Sequence, residues 1–131
     1  MNLFNSLIKL YSSHQLKTPL EDFTTEIFVN ILQDNEIISS SFIRDVMKIQ
    51  GDGFSISSQE CFSYIKNNRK FCKIDIVFKN EDSICFLENK VHSEEGFEQL
   101  FSYCEVLDEL KQYTNKISAV LYKILSRQSP Y

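Results

Sequence analysis

Apolar residues recur at helical intervals through the first part of the chain. Residues 3–11 have loose helical spacing, and Pro19 then marks a new start, because proline is tolerated in the first turn of a helix. The spacing that follows predicts a helix over 19–33. A further apolar run predicts a helix over 42–49, which ends at Gly51-Asp52-Gly53, where glycine favours a turn.

The pattern then changes to short runs that are rich in β-branched and aromatic residues. Three such runs cover 54–65, 71–78 and 83–91, and each predicts one strand. Helical spacing returns over 95–113, and an apolar run over 116–124 predicts a last strand before a polar tail. The order is helices, three strands, a helix and a strand, with no repeat or linker. We therefore expect one α/β domain over the whole chain.

The helix predicted over 95–113 has an apolar face that is two stripes wide. One stripe consists of Phe97, Leu100, Phe101, Cys104 and Leu107, and the neighbouring stripe of Gln99, Tyr103, Val106 and Leu110. A face of that width is typical of a helix that packs on a sheet. We expect both stripes to face the sheet.

A tight hairpin is predicted between the second and third strands. Residues 80–83 are turn formers, and a two-residue turn at Glu81-Asp82 places Asp75 directly opposite Glu88. The Cβ atoms of such a pair are about 4.5 to 5.5 Å apart. Like charges at that separation destabilise a sheet unless they are neutralised, and a divalent cation would neutralise them.

Strand alternation places Lys90 on the same face of the hairpin as Glu88. The opposite face is apolar and consists of Ile74, Ile76, Phe78, Cys85, Leu87 and Val91. Val77, Ile84 and Phe86 lie on the charged face nearer the turn, so helices are expected to cover both faces. The charged residues thus interrupt a pattern of burial, and such interruptions are expected at functional sites.

Asp75, Glu88 and Lys90 together have the chemistry of metal-assisted phosphodiester hydrolysis. Carboxylate oxygens suit Mg²⁺ or Mn²⁺, which polarises phosphoryl oxygens and lowers the pKa of a bound water, and a nearby ammonium orients that water or balances charge. The structural alternative is an ion pair between Glu88 and Lys90 at the sheet edge, with Asp75 solvated. Because the three residues occupy matched positions on apolar strands, the site hypothesis is favoured.

Composition limits the other classes of function. Of the 131 residues 43% are hydrophobic, and the formal net charge of −4 argues against a nonspecific nucleic-acid coat protein. No sustained apolar span or secretory signal is present, so a cytoplasmic protein without a membrane partner is expected. Four cysteines match no zinc or redox spacing and are expected to be reduced and mostly buried. They are Cys61, Cys72, Cys85 and Cys104.

The charged motif and the helix that follows it resemble a known family. Asp75 followed by Glu88-Asn89-Lys90 resembles the Asp…Glu-x-Lys signature of the PD-(D/E)xK nuclease superfamily. Gln99-Leu-Phe-Ser-Tyr103 is similar to the Gln-Leu-x-x-Tyr helix of many bacterial members. Residues 20–26 resemble the opening helix that often supplies a further carboxylate. Over about residues 18–124, the resemblance implies a restriction-endonuclease-like αβββαβ core with a mixed four-stranded sheet flanked by helices.

Two positions beside the motif also bear on the resemblance. Ile74 replaces the proline of the family name, a substitution that is common in the superfamily, and Lys73 supplies the basic residue often found two positions before the aspartate.

The resemblance implies a role for each residue of the motif. Asp75 and Glu88 would ligate the cation, the carbonyl of Asn89 would add a ligand, and Lys90 would position the attacking water.

The flanking helices would supply further groups. Gln99 and Tyr103 are four residues apart and so share a helical face, from which they would support Lys90 or the phosphate. For Tyr103, capping of the sheet edge is an equal alternative. Glu26 is the preferred acid of the first helix, and Glu21 and Asp22 remain alternatives.

The function implied is a metal-dependent nuclease with Mg²⁺ or Mn²⁺ as cofactor and nucleic acid as partner, DNA being favoured over RNA. The main alternative is a nuclease fold reused as a binding module for a protein or nucleic-acid partner, motivated by the negative charge and short chain. The presence of both acids and the lysine favours the enzyme. A third hypothesis is a fragment of a longer nuclease.

Few residues remain outside the predicted core to provide substrate specificity. Substrate contact is therefore expected from a homodimer, a partner protein or residues 1–16. A local basic rim is a further hypothesis, although solvated surface is the usual interpretation of scattered charges. It would consist of Arg44, Lys48, Lys66, Arg69, Lys70 and Lys73.

Overall fold

A four-stranded mixed sheet forms the centre of the computed structural model, which describes residues 19–65, 70–90 and 97–122. The strands are β1 (Ser55–Tyr64), β2 (Lys70–Lys79), β3 (Ser83–Lys90) and β4 (Asn115–Tyr122), and they are neighbours in that order. The first three are antiparallel, whereas β4 is parallel to β3. The predicted α/β fold is confirmed. Residues 123 and 124, assigned to the last strand from sequence, lie outside the described residues.

The helices are α1 (Pro19–Asp34), α2 (Glu36–Ser41), a π-helix (Phe42–Val46) and α3 (Phe97–Glu109). The helix predicted over 19–33 is confirmed. The run predicted as one helix over 42–49 is instead a π-helix that continues α2. The prediction missed α2, which begins after Asn35, whose side chain caps it by accepting from the N–H of Ile38 at 3.0 Å.

One further helix differs in extent from the prediction. The structure ends α3 at Glu109, whereas apolar spacing extended the helix to residue 113. The first predicted helix, over 3–11, lies outside the described residues. None of the helices in the described ranges is long and apolar enough to cross a membrane.

Helices cover both faces of the sheet, as the apolar pattern of β2 and β3 predicted. The core between α3 and the sheet consists of Tyr64, Cys72, Ile74, Val77, Ile84, Phe86, Tyr103, Val106 and Leu107. The core on the opposite face, against α1 and the π-helix, consists of Val29, Leu32, Ile43, Ile49, Ile76, Phe78, Cys85 and Leu87.

The turn between β2 and β3 forms as predicted. The backbone N–H of Asn80 donates to the carbonyl of Ser83 at 3.0 Å, and the side-chain oxygen of Asn80 accepts from the N–H groups of Asp82 and Ser83. Two residues therefore make the turn, and the register that they fix places Val77 opposite Phe86. This is the register expected from the sequence.

Only part of the apolar face predicted for α3 meets the sheet. Tyr103, Val106 and Leu107 are buried, whereas Phe101 is 65% exposed and Cys104 is also exposed. The prediction that both stripes face the sheet is therefore wrong for Phe101 and Cys104. The side of α3 that meets the sheet carries Tyr103, Val106 and Leu107, so Phe101 and Cys104 lie toward solvent although Leu107, from the same predicted stripe, is buried.

All four cysteines have free thiols, but only Cys72 and Cys85 are buried. Burial raises the pKa of the Cys72 thiol to about 11 and that of Cys85 to about 12, and the charge of Glu88 adds to the effect on Cys72. The prediction that the cysteines are mostly buried is thus wrong for Cys61 and Cys104.

Candidate active site

The hydrogen-bonded ladders on both sides of β2 are interrupted at Asp75. On one side, the ladder between β1 and β2 skips Gln59 and Asp75. On the other side, pairing with β3 ends at Ile76 and Leu87, one step before Asp75 and Glu88. Gln59 has a φ of 56°, a left-handed backbone that residues other than glycine rarely adopt. Such local irregularity costs free energy and is concentrated at functional sites.

The interruption also shifts the phase of side chains along β2. Between the turn and the interruption, Ile76 belongs to the core under α1 and Val77 to the core under α3. Beyond it, Cys72 and Ile74 belong to the core under α3. The prediction that Ile74 shares a face with Ile76 is therefore wrong, because the irregular residue between them resets the alternation of the strand. Asp75 lies at the boundary between the two phases.

The hydroxyl of Tyr103 joins the two predicted acids. It donates a hydrogen bond to Oε2 of Glu88 and accepts one from the backbone N–H of Asp75 at 3.5 Å. Tyr103 is fully buried and Glu88 is 4% exposed. Burial, followed by the negative charges of Glu88 and Asp75, raises the pKa of Tyr103. The phenol therefore stays protonated and donates to the carboxylate of Glu88, beside the backbone of Asp75.

Asn89 connects this position to α1. Its backbone N–H donates to Oδ2 of Asp75 at 2.9 Å. Its side-chain amide donates to the hydroxyl of Thr25 at 3.0 Å and to the carbonyl of Glu21 at 3.4 Å. Asn89 and Thr25 are both buried. The carboxylate of Asp75 is thus fixed to β3, and β3 in turn is fixed to the first turns of α1.

The three candidate acids of α1 lie in different surroundings. Glu21 is buried on the side of α1 that meets β3 through the amide just described. Asp22 accepts from the side-chain amide of Gln59 at 3.2 Å, and Glu26 accepts from the hydroxyl of Ser58 at 2.5 Å. Asp22 and Glu26 therefore contact β1, whereas the backbone carbonyl of Glu21 contacts β3.

Two further predicted site residues are described by their backbone alone. Lys90 is the last residue of β3 and pairs with Tyr122 in β4. Gln99 lies in the first turn of α3, one helical turn before Tyr103. The side chains of Lys90 and Gln99 lie outside the described part of the chain.

The residues of the hypothetical basic rim also differ in their surroundings. Arg44 forms an exposed ion pair with Asp45, with 3.0 Å between Nε and Oδ1. Lys48 and Lys73 are exposed, and Lys73 precedes Asp75 by two residues on β2. The remaining members, which are Lys66, Arg69 and the side chain of Lys70, lie outside what the structure describes.

The donor set at Asp75 and Glu88 fits a hard divalent cation. No group of three or more His, Cys, Asp or Glu residues within 19–65, 70–90 and 97–122 is arranged to hold a metal. Mg²⁺, however, is commonly bound through one or two protein carboxylates, with water and substrate phosphate completing its octahedron. Glu88 supplies one carboxylate, and Asp75, which is partly exposed, supplies a second. The hydroxyl of Tyr103 links the two residues through the Glu88 carboxylate and the Asp75 backbone, so this minimum is present.

The sequence analysis did not identify two residues of the site, Thr25 and Gln59. Thr25 lies four residues after Glu21 and thus on the same helical face, so its spacing could have identified it. Gln59 lies within Ser57-Ser58-Gln59-Glu60, a run of four polar residues that breaks the alternation expected of a strand. That run was the signal for an irregular β1, although not for the position of the left-handed residue.

Comparison with known proteins gives one match. Residues 2–131 match the family model described as the PD-(D/E)XK nuclease superfamily. No curated protein and no solved structure shows significant similarity to the chain. The family match spans every element of the fold and the site described above.

Proposed function

Because the chain belongs to the PD-(D/E)XK nuclease superfamily, we propose that it is a metal-dependent nuclease that hydrolyses phosphodiester bonds, in DNA rather than RNA. The observation that carries the proposal is the position of the Tyr103 hydroxyl, which binds the carboxylate of Glu88 and the backbone N–H of Asp75 and so links the two residues. A buried carboxylate such as that of Glu88 is costly unless it is paired or holds a cation, and here it lies on β3 just beyond the end of regular pairing with β2.

In this proposal Asp75 and Glu88 would hold Mg²⁺ or Mn²⁺, and the carbonyl of Asn89 would add a ligand. When bound, such a cation polarises phosphoryl oxygens and lowers the pKa of a coordinated water. The N–H of Asn89 orients the carboxylate of Asp75, and the hydroxyl of Tyr103 orients that of Glu88. Tyr103 is therefore a positioning residue, because its raised pKa keeps it a donor and not a base.

Lys90 and Gln99 complete the proposed site from the end of β3 and the start of α3. The ammonium of Lys90 would hold the attacking water and balance the charge that develops on the phosphate, and Gln99 would support that lysine or the phosphate. Lys90 is the last residue of β3, which contains Glu88, and Gln99 lies in the first turn of α3, which contains Tyr103. These positions support the assignment.

Among the candidate acids of α1 we favour Glu21, because its side chain is buried and its backbone carbonyl accepts from Asn89, whose own N–H binds Asp75. Glu26, the acid preferred from sequence, is bonded to Ser58 of β1. Comparing Glu21→Gln with Glu26→Gln tests the choice, since each variant removes one charge from the same helix. We expect the larger loss of cleavage for Glu21→Gln. A larger loss for Glu26→Gln would instead assign the role to Glu26.

The proposal is tested by cleavage of labelled single-stranded DNA, duplex DNA and RNA by the purified chain. We expect cleavage with Mg²⁺ or Mn²⁺, none with chelator, and a rate at least about a hundredfold lower for Lys90→Ala, the usual scale for loss of a group that orients or transfers protons. Lys111→Ala is the matched control, because Lys111 is exposed in the loop after α3.

A second measurement separates the enzyme from a binding module. Mn²⁺ should raise the melting temperature of the wild-type chain but not that of Glu88→Gln, because a ligand stabilises only the state that binds it. If neither ion shifts the melting temperature and the pure protein cleaves no substrate, the chain is a binding module and the nuclease proposal fails.

A further inference from the structure

The two strands β1 and β2 continue beyond the interruption at Gln59 and Asp75 as a two-stranded arm, defined as residues 60–64 and 70–74. Within the described residues, the ladder between β2 and β3 ends before the arm, at Ile76 and Leu87. One side of the arm packs under α3 through Phe62, Tyr64, Cys72 and Ile74. The other side, here called the arm face, consists of Cys61, Ser63, Phe71 and Lys73, all of which are exposed.

The arm face presents one aromatic ring with little around it. Phe71 is 78% exposed, one of the most exposed large apolar side chains in the described residues. Ser63 lies directly opposite Phe71 in the ladder, and Cys61 lies opposite Lys73. Because both cross-strand neighbours are small, the surface of the ring stays open on the pleated sheet.

The chemistry of this surface suits an unpaired base and its phosphate. An exposed aromatic ring stacks on any base whose π-face is free, and a cation beside it pairs with the backbone. Residues two apart on a strand share a face and are about 7 Å apart, so Lys73 lies within reach of the phosphate of a base stacked on Phe71. Duplex DNA keeps its bases stacked inside and offers no such face.

The position of the arm face relative to Asp75 gives this surface a direction. Four residues of extended strand separate Phe71 from Asp75, which is about 13 Å. That length corresponds to about four stacked steps of one nucleic-acid strand at 3.4 Å each. We therefore infer that the arm face binds unpaired bases and guides a single strand toward Asp75, where the arm ends. This inference rests on the proposed nuclease function, of which it names the substrate class.

A protein partner fits the arm face less well. Phe71 is the one large apolar side chain among its four residues, and stable protein interfaces bury on the order of 800 Å² per partner. Lys73, in contrast, complements a phosphate and would oppose a basic partner. Nucleic acid is therefore the occupant that both the ring and the charge favour.

The inference is tested by fluorescence anisotropy in chelator, where no metal-dependent cleavage occurs. The probes are a labelled thymidine oligonucleotide and the same labelled strand annealed to its complement. We expect tighter binding of the single strand, about tenfold weaker single-strand binding by Phe71→Ala, and binding near that of the wild type by Phe71→Tyr, which keeps the ring. Phe101→Ala is the control, because Phe101 is similarly exposed on α3.

The contribution of Lys73 is read from the salt dependence of binding. Lys73→Gln should reduce the slope of log affinity against log salt by about 0.7 for a single strand, the contribution of one phosphate contact. Circular dichroism melts check that the variants fold, which their exposure favours.

Three results would overturn the inference: equal or tighter binding of the duplex, unchanged binding by Phe71→Ala, or a concentration-dependent dimer in sedimentation that Phe71→Ala abolishes. The last would assign the arm face to a second copy of the chain. Failure of the nuclease proposal is distinguishable, because single-strand binding that depends on Phe71 without any ion-dependent cleavage would leave the arm face assigned and remove only the catalysis.

Discussion

The two halves of the β1–β2 hairpin differ in what covers them. The turn half, residues 55–58 and 76–79, has helices on both faces and a third strand at its side. The arm has a helix on one face and lies beyond the end of pairing with β3. Gln59 and Asp75 separate the halves. The difference shows that Asp75 and Glu88 lie at the point where the sheet is no longer covered on both faces. The buried residues that hold them and the solvent-exposed surface are therefore only one or two residues apart.

Two phenylalanines make the contrast sharpest, and the largest effect is expected here. Phe86→Ala removes a ring that is fully buried against Phe62 and Tyr103, and we expect it to lower the free energy of unfolding by about 3 to 5 kcal/mol. Phe71→Ala removes an exposed ring and should change it by less than about 0.5 kcal/mol. Urea denaturation measures both, and a large loss for Phe71→Ala would contradict the arm as an open surface.

The hydroxyl at the boundary should matter less than a buried ring. Tyr103→Phe keeps the ring but removes the donor to the buried Glu88, which should cost about 1 to 3 kcal/mol. Tyr113→Phe, at the margin of the same core, is the matched control and should be close to neutral. Equal stabilities of the two variants in urea denaturation would mean that the bond between Tyr103 and Glu88 contributes nothing.

The backbone of Gln59 offers a test of the boundary itself. Because its φ is 56°, Gln59→Gly should be tolerated, whereas Gln59→Val should be about 1 to 2 kcal/mol less stable than the glycine variant. Thermal denaturation of the pair gives the difference. A valine variant as stable as the glycine variant would show that β1 can pair through this point, and the separation of the two halves would then be incidental.

Alkaline pH tests whether the face of the arm under α3 excludes water to the same degree as the turn half does. Cys72 lies in the arm and Cys85 lies opposite the turn half, and burial raises the pKa of each thiol from 9.0, to about 11 and about 12 respectively. Above pH 9 the unfolded thiols lose their protons while the folded ones keep them, so stability should fall as pH rises, by about 1 kcal/mol per thiol between pH 9 and 10.

Denaturant titrations at pH 8, 9 and 10 measure this fall in stability. Cys72→Ala and Cys85→Ala should each flatten the dependence on pH, whatever their effect on stability at pH 8. Cys104→Ala, at an exposed position, should leave it unchanged. A flat profile for the wild-type chain would mean that water reaches both thiols.

The smallest expected effect concerns the charge of Asp75. Without metal, Asp75→Asn relieves its repulsion with Glu88 while the side-chain oxygen still accepts from Asn89, so the variant should be more stable by up to about 1 kcal/mol. With Mn²⁺ the order should reverse, because the wild-type chain gains a ligand. A lower melting temperature for the variant in chelator would contradict the proximity of the two carboxylates.

Patterns that repeat along a segment were sufficient for most of the fold. Apolar spacing identified α1 and all four strands, and the turn formers at 80–83 fixed the register of β2 and β3. The charged pattern selected Asp75 and Glu88, and the family resemblance selected Tyr103, whose hydroxyl contacts both residues in the structure. These features depend on neighbours that are close in sequence, where propensity and alternation act.

Features that depend on contacts between distant residues were not predictable in the same way. The alternation rule misplaced Ile74, because nothing local shows that β2 changes phase at Asp75. The exposure of Phe101 and Cys104 depends on which side of α3 meets the sheet, and that side carries Tyr103. The hydrogen bond between Asn89 and Thr25, which joins β3 to α1, links residues that are 64 apart in the chain. Tertiary packing determines all three features, and the pattern of residues along one segment carries no information about that packing.

The parallel pairing of β3 with β4 has a consequence for when the site can form. Lys90 is aligned with Tyr122, so the end of β3 is braced by a strand that follows it by more than twenty residues. A chain emerging from the ribosome exposes Asp75, Glu88 and Lys90 well before β4 is made. Until then β3 has an open edge, and the residues of the proposed site are present without the strand that pairs with the end of β3. Synthesis order therefore delays assembly of the site until nearly all of the described chain is available.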